Sequence, residues 1–355
     1  MCEITNPSNR RTIVYLYSEI MPYQAIVYAE LSKLGHTVHV FYNDKCRQTP
    51  YSPPSIENVS YYPSSHLSKL VLYQLVQSFT PDILVVCGWS SKKYLYVARQ
   101  FKREGKIPVV SPIDTQFTWR LKQIIGFIVS PIYIKTAFTH IWVPGVRQYY
   151  FARRLGYRPN QIILNSLTGN VDLFSTAKVE HKQNDYPRVF LYVGRYHKAK
   201  GLELLINVWD SIKEKKGWKL VCAGNGPLKE LLQNHNDVEI LDFQPQERLV
   251  ELAEKSGFFI LPSVYEPWAL VLQEFAAAGL PILCSDACGA SPHFVINGYN
   301  GYTFKTEDSC DLKLKFEQII NMSDGDLYKC ANHSKSLSHL ITPSMSAASL
   351  LSILK

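Results

Sequence analysis

The stretch FFILPSVYEPWALVLQEFAAAGLPILCSD, residues 258–286, decides the fold. FFILPS is a short continuous apolar run, the pattern of a strand buried on both faces. Glu266 and Pro267 follow, then two turns of small and apolar residues that stop at Gly279, a good helix end. PILCSD is a second buried strand. A strand, a helix and a strand in this order predict a parallel βαβ unit. Pro267 suits a first helical position, where its missing N–H costs nothing. The amides of Trp268, Ala269 and Leu270 would then be free at the helix start and form an anion site. Glu274 lies eight residues beyond Glu266, about 12 Å at the helical rise. Carboxylates at both ends and an anion site between them suit a long polar ligand carrying hydroxyls and phosphate, such as a nucleotide sugar.

The alternation extends outward on both sides. RVFLYVG, KLVCAG and VEILDF read as strands, with helices at LELLINVWDSIKEKK, GPLKELLQNH and QERLVELAEKSG. Earlier in the chain, RTIVYLY, TVHVFYN, DILVVCGW, IPVVSPI and HIWVPG alternate with helical stretches. This predicts an α/β chain of two Rossmann-like, doubly wound parallel-sheet domains, facing across a cleft. The expected bounds are 1–175, a polar linker at 176–187, 188–335, and a helical tail at 336–355 that could return to the first domain. A length of 355 residues suits two cores rather than one.

The strand ends add candidate ligands. Gly194 closes RVFLYVG, and Arg195 and Lys200 follow before Gly201. Two cations at a strand end can neutralise a diphosphate. Gly224 and Gly226 allow close backbone approach, but the spacing is not the dinucleotide G-x-G-x-x-G, which counts against a nicotinamide dehydrogenase.

The ordered set GRYHKAKG, AGNGPLKELL, LPSVYEPWALVLQEFAAAGLPILCSD and CGASPHFVINGYNGYTF resembles the family-4 retaining glycosyltransferases of GT-B fold, also called glycosyltransferase group 1. SEIMPYQAIVYAELSKLGHTVHVFY, SPIDTQF and GNVDLF match more loosely. The resemblance implies transfer of a sugar from a nucleoside-diphosphate sugar to a hydroxyl, with retention and no obligatory metal or cofactor. UDP-sugar is favoured on family frequency, with GDP-sugar as the alternative. Arg195 and Lys200 would hold the diphosphate, Glu266 the transferred sugar and Glu274 the ribose. The amides of Trp268, Ala269 and Leu270 would touch sugar or phosphate, Phe243 would lie near the base, and Asp114 would face sugar and acceptor. Many relatives have two glycines in the loop that reads SEIMPYQA here, so Gln24 is an acceptor-side candidate by position only. Ala269 stands where relatives usually have glycine.

Other readings fit parts of the pattern. A nucleotide-sugar epimerase of GT-B architecture would release a changed donor without an acceptor, and a catalytically silent nucleotide-sugar-binding protein would keep the fold alone. A two-carboxylate glycosidase using Asp114 and Glu266 would leave the phosphate-binding set without purpose. Asp324 and Asp326 form a D-x-D at a helix start, where capping explains them better than a metal. The eight cysteines (2, 46, 87, 222, 284, 288, 310 and 330) lack zinc spacing and read as reduced, mostly buried thiols.

The net charge of +8 is uneven: residues 1–175 hold 19 Lys and Arg against 9 Asp and Glu, and residues 176–355 hold 19 against 21. The basic first half suits a saccharide or lipid-linked acceptor at an anionic membrane face, in surface polysaccharide or glycolipid synthesis, rather than a nucleic acid. IIGFIVSPIYI, residues 124–134, is the nearest approach to a membrane span. It is too short, holds a proline, and reads as a buried or interfacial segment. The start lacks a signal-peptide pattern, so a cytoplasmic location, peripheral on the inner membrane face, is expected.

Overall fold

The computed structural model describes residues 10–45, 51–233 and 235–354. The polar start at 1–9, Cys2 and Cys46 lie outside them. The chain forms two compact units: one runs up to Thr168 and resumes at Ile341, the other is Gly169–Leu340.

In the first unit the strands are β1 (Thr12–Tyr17), β2 (Thr37–Tyr42), β3 (Val59–Pro63), β4 (Ile83–Val86), β5 (Val109–Pro112), β6 (His140–Trp142) and β7 (Ile162–Ile163). They form one sheet in the order β3-β2-β1-β4-β5-β6-β7, parallel at every pairing. Its helices are α1 (Pro22–Lys33), α2 (Lys69–Ser78), α3 (Lys92–Glu104), α4 (Leu121–Tyr133) and α5 (Val146–Arg154). The strand order reverses between β1 and β4, the switch point of a doubly wound sheet, and the loops after β1 and β5 emerge at the carboxyl edge of this sheet.

The second unit holds α6 (Val171–Phe174), β8 (Val189–Val193), α7 (Leu202–Ser211), β9 (Lys219–Ala223), β10 (Val238–Leu241), α8 (Gln246–Glu254), β11 (Phe258–Leu261), α9 (Leu270–Ala277), β12 (Ile282–Ser285), α10 (Ser291–Phe294), β13 (Gly301–Phe304), α11 (Ser309–Ile320) and α12 (Asp324–Ser338). Its sheet runs β10-β9-β8-β11-β12-β13, again all parallel. After Leu340 the chain returns to the first unit as α13 (Pro343–Leu351), whose Ala347 and Leu350 are fully buried in the core beside β1 and α1.

Four features of the chain differ from what its sequence predicts. The polar stretch 176–187 is no linker: Ala177, Val179 and Tyr186 are buried in the second unit. Lys182 is fully buried there, its Nζ donating to the carbonyls of Ala253 at 2.8 Å and Ser256 at 2.7 Å. Those two bonds make the burial tolerable, and burial pulls the ammonium pKa down to about 7. GPLKELLQNH yields only a short 3-10 turn, Lys229–Leu232, before β10. Strands β3 and β7 were not expected, since neither is a strong apolar run. The segment 124–134 is helix α4 and its cap: Ser130 and Ile134 are buried, but Ile124, Ile125, Ile128 and Ile132 are exposed, so of the buried and interfacial alternatives the buried one fails for most of it. Asp324 and Asp326 sit at the start of α12. The Ser323 Oγ accepts from the Asp326 amide at 3.2 Å, and Arg188 pairs with Asp324. Among the described residues no helix is long and apolar enough to cross a membrane.

Candidate functional site

In the second unit the predicted residues gather at the carboxyl end of the sheet. β8 runs out at Val193; Gly194 and Arg195 follow, and a 3-10 turn, Lys198–Lys200, leads to Gly201. The backbone of Gly201 is left-handed, and a Cβ there would stand 1.9 Å from the Pro262 carbonyl oxygen. Only glycine lets this turn press onto the end of β11. The Val264 amide then donates to the Ala199 carbonyl at 2.9 Å. The contact carries Lys200 to Glu266, and the two form an ion pair in which both side chains are largely withdrawn from solvent. Gly224 serves the neighbouring loop: a Cβ would lie 2.0 Å from the Gly194 carbonyl oxygen, so its bareness lets two strand ends touch. Arg195 is exposed at the same edge, and its carbonyl accepts from the Tyr192 hydroxyl at 3.1 Å.

The segment after Glu266 differs from expectation. α9 starts at Leu270, not at Pro267. Residues 266–268 lie beside 288–290 outside the helix, with Gly289 N donating to Glu266 O at 2.9 Å and Ala290 N to Trp268 O at 2.7 Å. The Trp268 amide therefore does not belong to the helix start, and the helical rise does not measure the span from Glu266 to Glu274. The break falls at Ala269, which caps the helix at φ 83° and ψ 75°. This left-handed conformation disfavours a Cβ. It places the Ala269 methyl under backbone strain. The Trp268 side chain is buried beside His293, ring centroids 5.3 Å apart, and its Nε1 has no hydrogen-bond partner among the described residues.

Glu274 is buried within α9, and its Oε1 accepts from the Gln246 side chain at 3.3 Å and the Asn170 amide at 3.4 Å. Asn170 in turn donates to Gln246 Oε1 at 3.0 Å. Burial raises the carboxyl pKa from 4.5 to about 7, against the lowering effect of the Asn170 amide. Gln246 and Asn170 were missed in the sequence; the only signal was GNVDLF, whose asparagine reaches α8 and α9 across more than seventy residues. Phe243 is 79% exposed in the loop after β10, a bare ring available for stacking.

In the first unit, Gln24 and Asp114 line one pocket of about 360 Å³ with Tyr17, Glu19, Tyr23 and Ser166. The pocket lies where β1 and β5 end. Gln24 is buried and its Oε1 accepts from the Met21 amide at 2.7 Å, so it fastens the start of α1 as well as facing the pocket. Burial, and next the Asp114 carboxylate, push the Tyr23 hydroxyl pKa up, so it is a hydrogen-bond donor throughout the neutral range. Glu19 and Tyr23 were not singled out in the sequence, because SEIMPYQA lacks the glycines that would have marked a ligand loop.

Residues 174–335 match the family model described as glycosyl transferases group 1. An uncharacterized glycosyltransferase of Methanocaldococcus jannaschii is 34% identical over 112 residues, 30% of this chain and 29% of that protein. The N,N'-diacetylbacillosaminyl-diphospho-undecaprenol alpha-1,3-N-acetylgalactosaminyltransferase of Campylobacter jejuni is 24% identical over 210 residues, 56% of each. The chain thus spans less than two thirds of the length of the curated relatives it matches. Among solved structures, a glycosyltransferase of Rickettsia africae superimposes with a TM-score of 0.73 at 14% identity, covering 97% of this chain and 98% of that one. Anabaena HepE in complex with UDP-glucose does so with 0.67 at 17% identity, covering 97% and 100%. At such identities these structures speak for the fold: two Rossmann-like parallel-sheet units, the GT-B fold. Over residues 174–335 the chain is similar to the group 1 glycosyl transferases.

Proposed function

We propose that the protein is a retaining, metal-independent glycosyltransferase of family-4 type. It moves a sugar from a nucleoside-diphosphate sugar, UDP-sugar before GDP-sugar, to a hydroxyl of a saccharide or lipid-linked acceptor. The observation that carries this reading is the Lys200–Glu266 pair with Arg195 at the same sheet edge. A cation for phosphate and a carboxylate for sugar hydroxyls reach the same place. The UDP and UDP-glucose of HepE and the undecaprenyl-linked substrate named for the Campylobacter relative support the donor and acceptor classes.

In this mechanism the bond from the anomeric carbon to the phosphate oxygen breaks as the acceptor oxygen attacks the same face. The acceptor proton passes to the departing phosphate oxygen, so no protein nucleophile is needed. Arg195 and Lys200 stabilise the charge that grows on the diphosphate. Glu266 holds the sugar, Glu274 the ribose diol, and Phe243 stacks on the base. Trp268, Ala269 and Leu270 shape the sugar side with Gly194 and Gly224. Asp114 and Gln24 face the acceptor. The basic first unit approaches an anionic membrane from the cytoplasmic side, in surface polysaccharide or glycolipid synthesis.

The test is a thermal-shift and hydrolysis screen against UDP-, GDP- and ADP-sugars. One donor should raise Tm and slowly lose its sugar. Lys200→Ala and Arg195→Ala should each cut turnover by about 100- to 1000-fold. A silent binder would show the shift without turnover in the wild type. An epimerase would give a changed nucleotide sugar with no acceptor present. No response to any donor overturns the proposal.

A further inference from the structure

Helix α4 carries its apolar face outward. On a period of 3.6 residues Leu121, Ile124, Ile125, Ile128 and Ile132 share one stripe. Leu121, Ile128 and Ile132 are 71%, 74% and 76% exposed, and Trp119, just before the helix, is 76% exposed. The opposite side is anchored. Phe127 packs on Phe151 and Phe117, with centroids at 5.3 and 5.5 Å. Ser130 Oγ donates to Leu155 O at 2.8 Å, and Gln123 Nε2 to Gln116 O at 2.9 Å. The helix cannot roll its stripe inward without losing these contacts. A contiguous run of large apolar side chains on a surface marks an interaction site.

The ground next to the helix is basic. A pocket of about 680 Å³ is lined by Lys69, Lys92, Arg99 and Arg103 with Tyr96 and Tyr133, and among the described residues no Asp or Glu lines it. Lys93 also borders it but donates to the carbonyls of Ser64 and Leu67 instead. Arg99 joins this pocket to the helix: its Nη2 donates to Tyr133 O at 3.1 Å, and its guanidinium lies 5.1 Å from the Tyr133 ring centroid. Lys122 and Arg120 are exposed at the other end of α4.

We propose that α4 and this basic pocket dock the protein on an anionic lipid bilayer. The isoleucine stripe lies in the boundary of headgroups and acyl chains, Trp119 sits at the headgroup level, and the cations meet lipid phosphates. A second copy suits the surface less well, because a two-fold contact across α4 would bring two basic walls together with no carboxylate between them. The inference deepens the lipid-linked acceptor of the reading above, and its test needs no sugar.

The experiment is flotation of the full chain with vesicles of phosphatidylcholine alone or mixed with phosphatidylglycerol, at low and high salt. Wild type should float with the anionic vesicles only, and less at high salt. Ile128→Ser combined with Ile132→Ser should weaken binding about tenfold at either salt. Lys92→Glu combined with Arg103→Glu should remove the salt-sensitive part. Wild type that ignores anionic vesicles at low salt, or a double-serine variant that floats like wild type, overturns the proposal. So does a sedimenting dimer that the double-serine variant breaks while no protein floats, which would assign the stripe to a second copy. Donor hydrolysis without vesicles separates the two readings. Flotation without turnover keeps the docking and sinks the transferase; turnover without flotation does the reverse.

Discussion

Helix α9 buries Leu272, Gln273, Glu274, Phe275, Ala276 and Ala277, whereas the longer α4 buries only Ser130. Both are dominated by apolar side chains, and both follow a strand of a parallel sheet. The difference lies in what surrounds them. α9 is covered by α6 and α12, and Phe275 stacks on Phe259 with centroids 4.3 Å apart. α4 offers Gln123, Phe127, Ser130 and Tyr133 to its own unit and turns its isoleucines away. Hydrophobicity alone therefore does not place a helix; the partners on each side of it do.

The largest expected effect breaks or upholds this contrast at its buried end. Phe275→Ala should cost about 3–5 kcal/mol of stability, read by denaturant unfolding, because it opens a cavity between Phe259 and Phe174. A loss under about 1 kcal/mol would mean that α9 is as loosely held as α4.

Next in size is a pH dependence confined to α9. Glu274 has its folded pKa raised from 4.5 to about 7 by burial. Below 4.5 the carboxyl is protonated in both states. Between 4.5 and 7 the unfolded chain ionises first, so the folded state binds more protons and stability falls as pH rises. Above 7 the loss is complete, on the order of 3 kcal/mol. Glu274→Gln should remove this slope. A slope unchanged in the variant would place the titrating group elsewhere; buried Lys182 is not that group, since its lowered pKa of about 7 acts only above that pH and with the opposite sign.

A smaller effect belongs to the strained start of α9. Ala269→Gly should raise stability by about 0.5–1 kcal/mol, since glycine relieves the left-handed φ but loses some advantage to unfolded-chain entropy. Destabilisation of that size would show that the methyl packs well enough to outweigh its strain. The smallest effect belongs to α4: Ile128→Ser should change stability by no more than about 0.5 kcal/mol in solution. A cost of 2 kcal/mol or more, on the scale of a buried aliphatic side chain, would mean that the exposed stripe is covered in solution.

The doubly wound plan was legible because buried parallel strands are short, apolar and bounded by turns; β4 and β11 are such runs. The grouping of Lys200 with Glu266 was legible through motif order, and the structure adds the contact, made at Gly201. Three features were hidden. The start of α9 was misread because Pro267 suits a first helical turn, while the residue that sets the start, Ala269, has a conformation its identity does not announce. The buried course of 176–187 was misread because Lys182 and its polar neighbours look solvated, and the carbonyls that receive its ammonium lie some seventy residues away. The outward turn of α4 was undecidable because an apolar run does not say which way it faces.

The return of the chain after Leu340 has a consequence for birth rather than for rest. The second unit is a guest of 172 residues inserted within the sequence of its host. Thr168 and Ile341, hydrogen-bonded at 3.4 Å, mark where the host was opened. On a ribosome adding about 5–20 residues each second, the first sheet waits roughly 10–30 s for α13 to seal its core against α1. Through that interval the host is an unfinished vessel, and a guest that folds promptly brings the two lips together and shortens the search for closure.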